Sequence, residues 1–200
     1  MPLAVFDFDG TLVYRPSSLV WANGISFLKK IQIPFLYALE ILTGKPIYQR
    51  KVFEWLVGLD VTSATEKMKS LPPVPKVVEY FQELSSQGYQ MIVISYSPGF
   101  FVKAWMDAHK LSADIYCPDI VVVDGVVKNL ATDWVTNLFL AEPRGAKMAA
   151  LDKRGLTPDV AVGDNRRRDA VCDNYIDVRK IQRRYTHKIL QIVKLILRIG

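Results

Sequence analysis

Polar residues that suit phosphate and metal chemistry follow or flank the apolar runs of this 200-residue sequence. The set comprises carboxylates, hydroxyls, one glycine and one lysine, namely Asp7, Asp9, Gly10, Thr11, Ser95, Lys147, Asp164 and Asp169. Carboxylates that gather in one place repel one another and raise each other's pKa, and a hard divalent cation removes that repulsion. Because Mg²⁺ prefers oxygen ligands and commonly binds carboxylates together with a substrate phosphate, these residues predict a Mg²⁺ site that receives a phosphate.

The same residues supply the groups of a covalent phosphoryl transfer. One carboxylate can attack phosphorus to give an aspartyl-phosphate, and a second carboxyl two residues further on can protonate the leaving group. Lys147, the hydroxyls of Thr11 and Ser95, and the backbone amides of residues 8–10 can bind the phosphate oxygens. Each feature alone is weak evidence for an enzyme, since Asp-Gly pairs often form turns and helix lysines are usually solvated. Their joint occurrence in this order favours an enzyme.

The elements that must position these residues alternate between strands and helices. Short apolar runs predict strands at Leu3–Phe8, Tyr89–Ile94, Ile115–Tyr116, Asp159–Val162 and Tyr175–Val178, and a hairpin of Ile120–Val123 with Val126–Val127. Helical spacing predicts helices at Lys76–Gln87, Phe100–Lys110, Arg144–Lys153 and Arg167–Asp173. This alternation predicts an α/β fold, a three-layer Rossmann-like core with a mainly parallel sheet, in which ligands bind beyond the carboxyl ends of the strands.

Residues 15–72 interrupt this pattern. Mostly apolar segments with helical spacing predict three or four helices there, at Ser18–Ile31, Pro34–Thr43, Ile47–Leu59 and Ser63–Leu71. The proline-rich stretch at 72–75 then predicts a linker back to the core. We therefore predict a core of residues 1–14 and 73–178, a small helical insertion at 15–72, and a separate basic tail at 179–200.

Four segments of the sequence resemble the motifs of the haloacid dehalogenase-like superfamily. Asp7-Phe8-Asp9-Gly10-Thr11-Leu12-Val13 resembles the first motif and Ile92-Val93-Ile94-Ser95 the second. Lys147 resembles the third motif, and Val162-Gly163-Asp164 with Asp169 the fourth. The helical insertion is similar to the C1 cap of that family. Ser95-Tyr96-Ser97-Pro98 and the hairpin are similar to the branch that contains the phosphoserine phosphatases.

The resemblance implies a Mg²⁺-dependent phosphatase that acts on a small phosphomonoester. It implies that Asp7 is the nucleophile and a metal ligand, and that Asp9 is the general acid and base. Asp9 would also give the metal its backbone carbonyl oxygen. Ser95 and Lys147 would bind the phosphoryl group, alongside Gly10 and Thr11 of the first motif. Asp9 also favours phosphate chemistry, since the family's dehalogenases lack that acid.

The fourth motif departs from the pattern of the phosphoserine phosphatase branch. Four residues separate Asp164 from Asp169, where that branch usually has three. The resemblance implies that Asp164 is a metal ligand. It leaves Asp169 as either a further metal-shell residue or an ion-pair partner of Lys147, and Asn165 can share that role.

The insertion departs from the pattern as well. Phosphoserine phosphatases have a substrate-binding glutamate shortly after the first motif, and the matching position here is Pro16. We therefore do not expect phosphoserine to be the substrate. Arg50 lies near the position of a cap arginine in that branch and is a candidate substrate contact.

The formal charge of +6 belongs to the end of the chain. Residues 179–200 contain seven basic and no acidic residues, which leaves 19 basic and 20 acidic residues in 1–178. This distribution argues against a nucleic-acid-binding fold, so we expect no nucleic-acid partner. Isoleucines and a tyrosine recur in the tail at helical spacing, and predict a helix that either packs on the body or lies on an anionic membrane. Arg166-Arg167-Arg168 is either a solvated loop or a contact for an anionic substrate or partner.

Two further functions remain open on the sequence. An apolar cap and a basic tail are consistent with a membrane-surface phosphatase of a lipid or polyprenyl phosphate. A non-catalytic module that binds a phosphorylated partner is the other alternative, although it need not keep both Asp7 and Asp9. The start of the chain has no signal-peptide core, and the longest charge-free run, Leu84–Val102, is broken by polar residues, glycine and proline. We therefore expect a cytoplasmic protein, peripheral at most on a membrane.

Overall fold

A parallel sheet organises the chain in the computed structural model, which describes residues 1–14, 17–45, 47–142 and 145–179. The strands are β1 (Leu3–Phe6), β2 (Gln90–Ile94), β3 (Asp114–Tyr116), β4 (Ile120–Val123), β5 (Val126–Leu130), β6 (Val160–Gly163) and β7 (Tyr175–Asp177). Five of them form one sheet in the order β3-β2-β1-β6-β7. All neighbouring pairs in this sheet are parallel, with Val5 opposite Ile92 on one side and Ala161 on the other.

Helices connect the strands and cover both faces of the sheet. They are α1 (Ser18–Trp21), α2 (Phe27–Thr43), α3 (Ile47–Glu54), α4 (Thr62–Lys69), α5 (Pro75–Ser86), α6 (Gly99–Ala108), α7 (Trp134–Ala141), α8 (Ala146–Lys153) and α9 (Arg166–Asp169). Side chains of β1 alternate between the two faces, as expected for a strand buried on both sides. Ala4 and Phe6 pack with α5 and α6, whereas Leu3 and Val5 pack with α7 and α8. The predicted three-layer α/β core is confirmed.

Helices α1 to α4 lie between β1 and α5 in the sequence, and we call them the cap. A 3₁₀ turn at Ala22–Gly24 separates α1 from α2. The aromatic ring of Trp21 stacks on that of Phe101 in α6, and lies 6.1 Å from that of Phe53 in α3. The cap is therefore anchored to the core by buried aromatic side chains.

Helix α2 is longer than the sequence patterns predict. A helix break before Pro34 was expected, but Phe27–Thr43 is continuous and contains Pro34 in its interior. Proline removes one backbone donor and crowds the preceding turn, while the turns on either side keep their own hydrogen bonds. The predicted break is wrong.

The hairpin of β4 and β5 stands apart from the central sheet and contacts the cap. The backbone amide of Gly58 donates to the carbonyl of Val127 at 2.8 Å, and that of Val127 donates to Leu59 at 3.0 Å. These bonds attach the segment after α3 to the hairpin. Helix α7 follows the hairpin and was not predicted, although Asp133 accepts from two amides at its start and is a recognisable N-cap.

Within the residues that the structure describes, no helix has the length and apolar character needed to cross a bilayer. The predicted helix at 179–200 lies outside the described residues, apart from Arg179.

Candidate active site

The loops that follow β1 and β6 meet at the carboxyl edge of the sheet. The amide of Asp7 donates to the carbonyl of Val162 at 2.9 Å, which extends the strand pairing up to the first carboxylate. Gly10 has a φ of 75°, and a Cβ there would lie 2.4 Å from Oδ2 of Asp164. Glycine is therefore needed at residue 10 both for its left-handed backbone and for the close approach of the Asp164 carboxylate.

Lys147 joins two of the predicted aspartates. Its Nζ lies 2.6 Å from Oδ1 of Asp7 and 2.7 Å from Oδ1 of Asp169, and all three side chains are buried. The other oxygen of Asp169 accepts from the amide of Asn165 at 2.9 Å. Asp169 is the last residue of α9, and a Cβ at Gly163 would lie 2.4 Å from its own Cβ. The glycine before Asp164 thus leaves room for Asp169.

Burial controls the proton affinities of this group. It raises the pKa of the Asp7 carboxyl to about 7, a rise that the Lys147 ammonium opposes and Asp169 increases. Burial also acts to lower the pKa of Lys147, but the two carboxylates outweigh it and hold that pKa above its ordinary value. The pKa of Asp164 is raised by burial and by Asp169. Lys147 is therefore charged, but its single positive charge does not offset the mutual repulsion of the carboxylates.

Three carboxylates lie close enough to bind one cation. Asp7, Asp164 and Asp169 each present an oxygen within 4.8 Å of the others. A hard divalent cation suits this all-oxygen set, and would offset the surplus of negative charge that Lys147 alone leaves. The residues present therefore fit Mg²⁺.

The carboxylate of Asp9 is not part of that set, because it points towards serines. Oδ1 accepts from the amide of Ser17 at 2.5 Å, and Oδ2 accepts from Oγ of Ser97 at 2.6 Å and from Oγ of Ser17 at 3.2 Å. The two hydroxyl oxygens lie 2.7 Å apart, and Nε1 of Trp21 donates to that of Ser17 at 3.1 Å. Sequence reasoning gave neither serine a role at Asp9, since Ser97 is 88 residues away and Ser17, eight residues away, lies in the helical insertion.

The remaining predicted phosphate-binding residues lie around Asp7. Oγ1 of Thr11 is fully buried and donates to Oδ2 of Asp7 at 3.3 Å, so it supports the carboxylate. Ser95 is buried at the end of β2, and its Oγ accepts from the amide of Ser97 at 3.2 Å. Seven of the predicted site residues line a cavity of about 340 Å³, namely Asp7, Asp9, Gly10, Ser95, Lys147, Asp164 and Asp169, together with Tyr14, Tyr96, Asn165 and Arg168. Thr11 does not line it, because its hydroxyl is fully buried against Asp7.

A second cavity, of about 230 Å³, adjoins the first beneath the cap. We call the two together the cleft, since both are lined by Asp9, Tyr96 and Arg168. The cap contributes aromatic and polar side chains to it, namely Trp21, Tyr37, Glu40, Tyr48, Gln49 and Phe53. Nε2 of Gln49 donates to the carbonyl of Tyr96 at 3.4 Å, so a cap residue also contacts the loop after β2.

The family model for haloacid dehalogenase-like hydrolases matches residues 4–167. The chain belongs to this family. Its fold is similar to that of a substrate-bound phosphoserine phosphatase, at 20% identity over 91% of this chain and 97% of that chain, with a TM-score of 0.63. It is also similar to a phospho-aspartyl intermediate analogue of phosphoserine phosphatase, at 21% identity over 83% and 79% of the two chains, with a TM-score of 0.58.

A third similar structure is cytosolic 5'-nucleotidase IIIB bound to cytidine, at 14% identity over 83% of this chain and 66% of that chain, with a TM-score of 0.57. Comparison with curated proteins finds no match. At these identities the solved structures establish the shared fold, and the family model establishes that the chain is a haloacid dehalogenase-like hydrolase.

The structure does not bring every predicted residue of this hydrolase to the cleft. Arg50 lies on an exposed face of α3, where its Nε is 3.3 Å from Oε1 of Glu54, and its side chain is 68% exposed. Among the described residues, those that line the cleft do not include Arg50. The arginine at the cleft is Arg168 instead, the last of the three consecutive arginines in α9.

Proposed function

We propose that this hydrolase is a Mg²⁺-dependent phosphatase that cleaves a small phosphomonoester through an aspartyl-phosphate. The observation that carries the proposal is the separation of two carboxylates in one loop. Asp7 is buried and lies 2.6 Å from Lys147, whereas the carboxylate of Asp9 is bound by Ser17 and Ser97 and stays apart from the three clustered carboxylates. Two carboxyl groups with different partners suit two different tasks.

In the first half of the reaction, a carboxylate oxygen of Asp7 attacks phosphorus as the bond to the leaving oxygen breaks. Asp9 gives its proton to that oxygen, and the alcohol departs. In the second half, Asp9 takes a proton from a water molecule whose oxygen attacks the same phosphorus. The bond to Asp7 breaks, inorganic phosphate leaves, and both carboxyl groups return to their starting states.

The phosphoryl group needs cationic and hydrogen-bonding partners throughout. Lys147 and the Ser95 hydroxyl line the cavity at Asp7 and would bind its oxygens. Asp7, Asp164 and the backbone carbonyl of Asp9 would hold Mg²⁺, which when bound offsets the charge of the carboxylates and of the phosphate dianion.

We assign to Asp169 the orientation of Lys147, in support of which the two lie 2.7 Å apart. Asn165 stabilises the start of α9 and does not replace Asp169. Its Oδ1 accepts from the backbone amide of Arg167, and its backbone amide donates to the Asp169 carboxylate.

Hydrolysis of an aryl phosphate tests the proposal. We expect activity with Mg²⁺, loss of activity with EDTA, and loss of activity in Asp7→Asn with Mg²⁺ present. Asp152→Asn, which changes an exposed acid of α8, is the matched control and should leave the rate unchanged. Activity that survives EDTA or the Asp7→Asn substitution would contradict the mechanism. A protein inactive in every condition that still binds inorganic phosphate would favour the non-catalytic binding module.

A further inference from the structure

A third cavity, of about 520 Å³, adjoins the cleft, and we call it the arginine pocket. Helices α2, α8 and α9 contribute the side chains that define it, namely Tyr37, Glu40, Lys147, Met148, Arg167 and Arg168. Ligand sites in proteins commonly have volumes of about 300–1,000 Å³. The arginine pocket is therefore large enough to hold part of a small ligand.

The cations of the arginine pocket differ in whether they have a carboxylate partner. Nζ of Lys147 is held by Asp7 at 2.6 Å and by Asp169 at 2.7 Å. Within the described part of the chain, the guanidinium groups of Arg167 and Arg168 form no ion pair. These two arginines therefore have donors to offer to an anion that enters the pocket.

Glu40 does not neutralise the two arginines. It is the single acid among the described residues that line the pocket, and its Oε2 accepts from the backbone amides of Tyr48 at 3.0 Å and Gln49 at 3.4 Å. Burial raises the pKa of the Tyr48 and Tyr96 hydroxyls, and the charge of Arg168 opposes that rise in both. Positive charge from α9 thus acts on the cap and on the loop after β2.

The three consecutive arginines of α9 have different positions relative to the cleft. Arg168 lines the cavity at Asp7, the cavity beneath the cap and the arginine pocket, whereas Arg167 lines the arginine pocket alone. Arg166 lines none of the three cavities. An anion that contacts Arg167 therefore lies outside the cavity at Asp7, and is a different group from the phosphoryl group proposed to bind there.

The cavity beneath the cap connects the proposed acid to the arginine pocket. Asp9 has to reach the leaving oxygen in order to protonate it, and Asp9 lines the cavity beneath the cap. That cavity and the arginine pocket share four lining residues, Tyr37, Glu40, Tyr96 and Arg168. An alcohol that departs at Asp9 can therefore extend beneath the cap and present its far end to the arginines.

We propose that the arginine pocket binds a second anionic group of the substrate, either a carboxylate or a second phosphate on the leaving alcohol. The planar guanidinium group suits both, because its donors pair with two oxygens of a carboxylate or a phosphate. This assignment rests on the proposed function, which places the first anion at Asp7. It narrows the substrate to a small phosphomonoester whose alcohol carries an anion at its far end.

Calorimetric titration with phosphonates in the presence of Mg²⁺ tests the proposal on the full chain. A phosphonate keeps the first anion but cannot be hydrolysed, because carbon replaces the ester oxygen. Alkylphosphonates of three to six carbons carry one anionic group, whereas the ω-carboxyalkylphosphonates and bisphosphonates of the same lengths carry two. Arg167→Gln is the test variant, and Arg166→Gln, which removes the same charge from the same helix, is the matched control.

We expect the wild-type chain to bind at least one two-anion ligand about ten-fold more tightly than the alkylphosphonate of the same length. Arg167→Gln should remove most of that preference, because it removes a guanidinium group that contacts only the second anion. Arg166→Gln should keep the preference. The ratio of the two dissociation constants is the readout, so a change in the amount of folded protein does not affect it.

Three results would overturn the proposal. Equal affinities for one-anion and two-anion ligands at every length would show that the pocket binds no second anion. An equal loss of preference in both variants would assign the preference to the overall charge of α9. In both cases, binding of the alkylphosphonate leaves the proposed function standing. A chain that binds no phosphonate at all would contradict the phosphate site at Asp7, and with it both the proposed function and the second-anion site.

Discussion

At the scale of single residues, the partners of Asp9 decide how well it could serve as the proposed acid and base. Its carboxylate is bound by one backbone amide and two hydroxyls, of which Oγ of Ser97 is the closer at 2.6 Å. A hydroxyl donates one hydrogen bond and accepts others, so Ser97 can serve Asp9 with or without its proton. We therefore predict that Ser97 positions Asp9 for the proposed proton transfers.

We expect Ser97→Ala to slow hydrolysis of alkyl phosphates about ten-fold more than that of p-nitrophenyl phosphate. An alkoxide leaving group needs the proton from Asp9, whereas p-nitrophenolate departs without it. The ratio of kcat/KM for the two substrates measures the effect. Ser97→Thr, which keeps the hydroxyl, should restore most of the ratio, and an equal loss on both substrates would indicate a merely structural serine.

The raised pKa of Asp7 makes a prediction about stability. Its pKa rises from 3.8 to about 7 on folding, so between these values the folded chain holds a proton that the unfolded chain has lost. The contribution of Asp7 therefore destabilises the metal-free protein increasingly as pH rises from about 4 to 7. We expect Mg²⁺ to raise the melting temperature more at pH 8 than at pH 5, and this pH difference to shrink in Asp7→Asn. An identical Mg²⁺ effect at both pH values would contradict the assignment.

At the scale of elements, the site depends on how closely two loops approach. Gly10 and Gly88 both have a positive φ, of 75° and 83°, but only Gly10 has a neighbour in the way of a Cβ. Each Gly→Ala substitution should cost about 1 kcal/mol of stability through the backbone. We expect Gly10→Ala also to weaken Mg²⁺ affinity, because its Cβ displaces Asp164, whereas Gly88→Ala leaves that affinity unchanged. Titration of activity with Mg²⁺ compares the two, and equal affinities would refute the close-approach argument.

The sequence located a strand or helix correctly where that element packs against a neighbouring layer along a regular face. The strands and the helices α5, α6 and α8 were predicted within a few residues, because their periodicity matches the layer that covers them. Helix α2 was predicted as two helices, since Pro34 usually ends one. Helix α7 is apolar on most sides and offers little periodicity, so its cap, Asp133, was the available signal.

At the scale of the whole molecule, the cleft lies between the cap and the core, and Arg168 reaches both. It lines the cavity at Asp7 and the cavity beneath the cap, whereas Arg166 lines neither. We expect Arg168→Ala to raise KM about ten-fold with a smaller change in kcat, because a cation at the entrance binds the anionic substrate before and during reaction. Arg166→Ala is the matched control. Steady-state kinetics measure both, and an equal rise in KM would mean that only the overall charge of α9 matters.

The sequence by itself determined the candidate residues for the chemistry and the sheet that gathers them. Asp7, Ser95 and Asp164 each follow a buried strand, and parallel strands joined by right-handed crossovers bring their carboxyl ends to one edge. This is a local pattern combined with a general rule of topology, so it can be deduced without coordinates. Lys147 and Asp169 could be placed at the same edge by that rule.

Only the tertiary structure decided what meets these residues from far away in the chain. Nothing in the spacing of Ser17 and Ser97 indicates that both bind Asp9, or that Arg168 rather than Arg50 reaches the cleft. Periodicity shows that a helix has an apolar face, but not which neighbour covers it. In α2, Phe27, Leu28 and Leu42 are exposed, because the rotation of the helix is fixed by contacts on its other side.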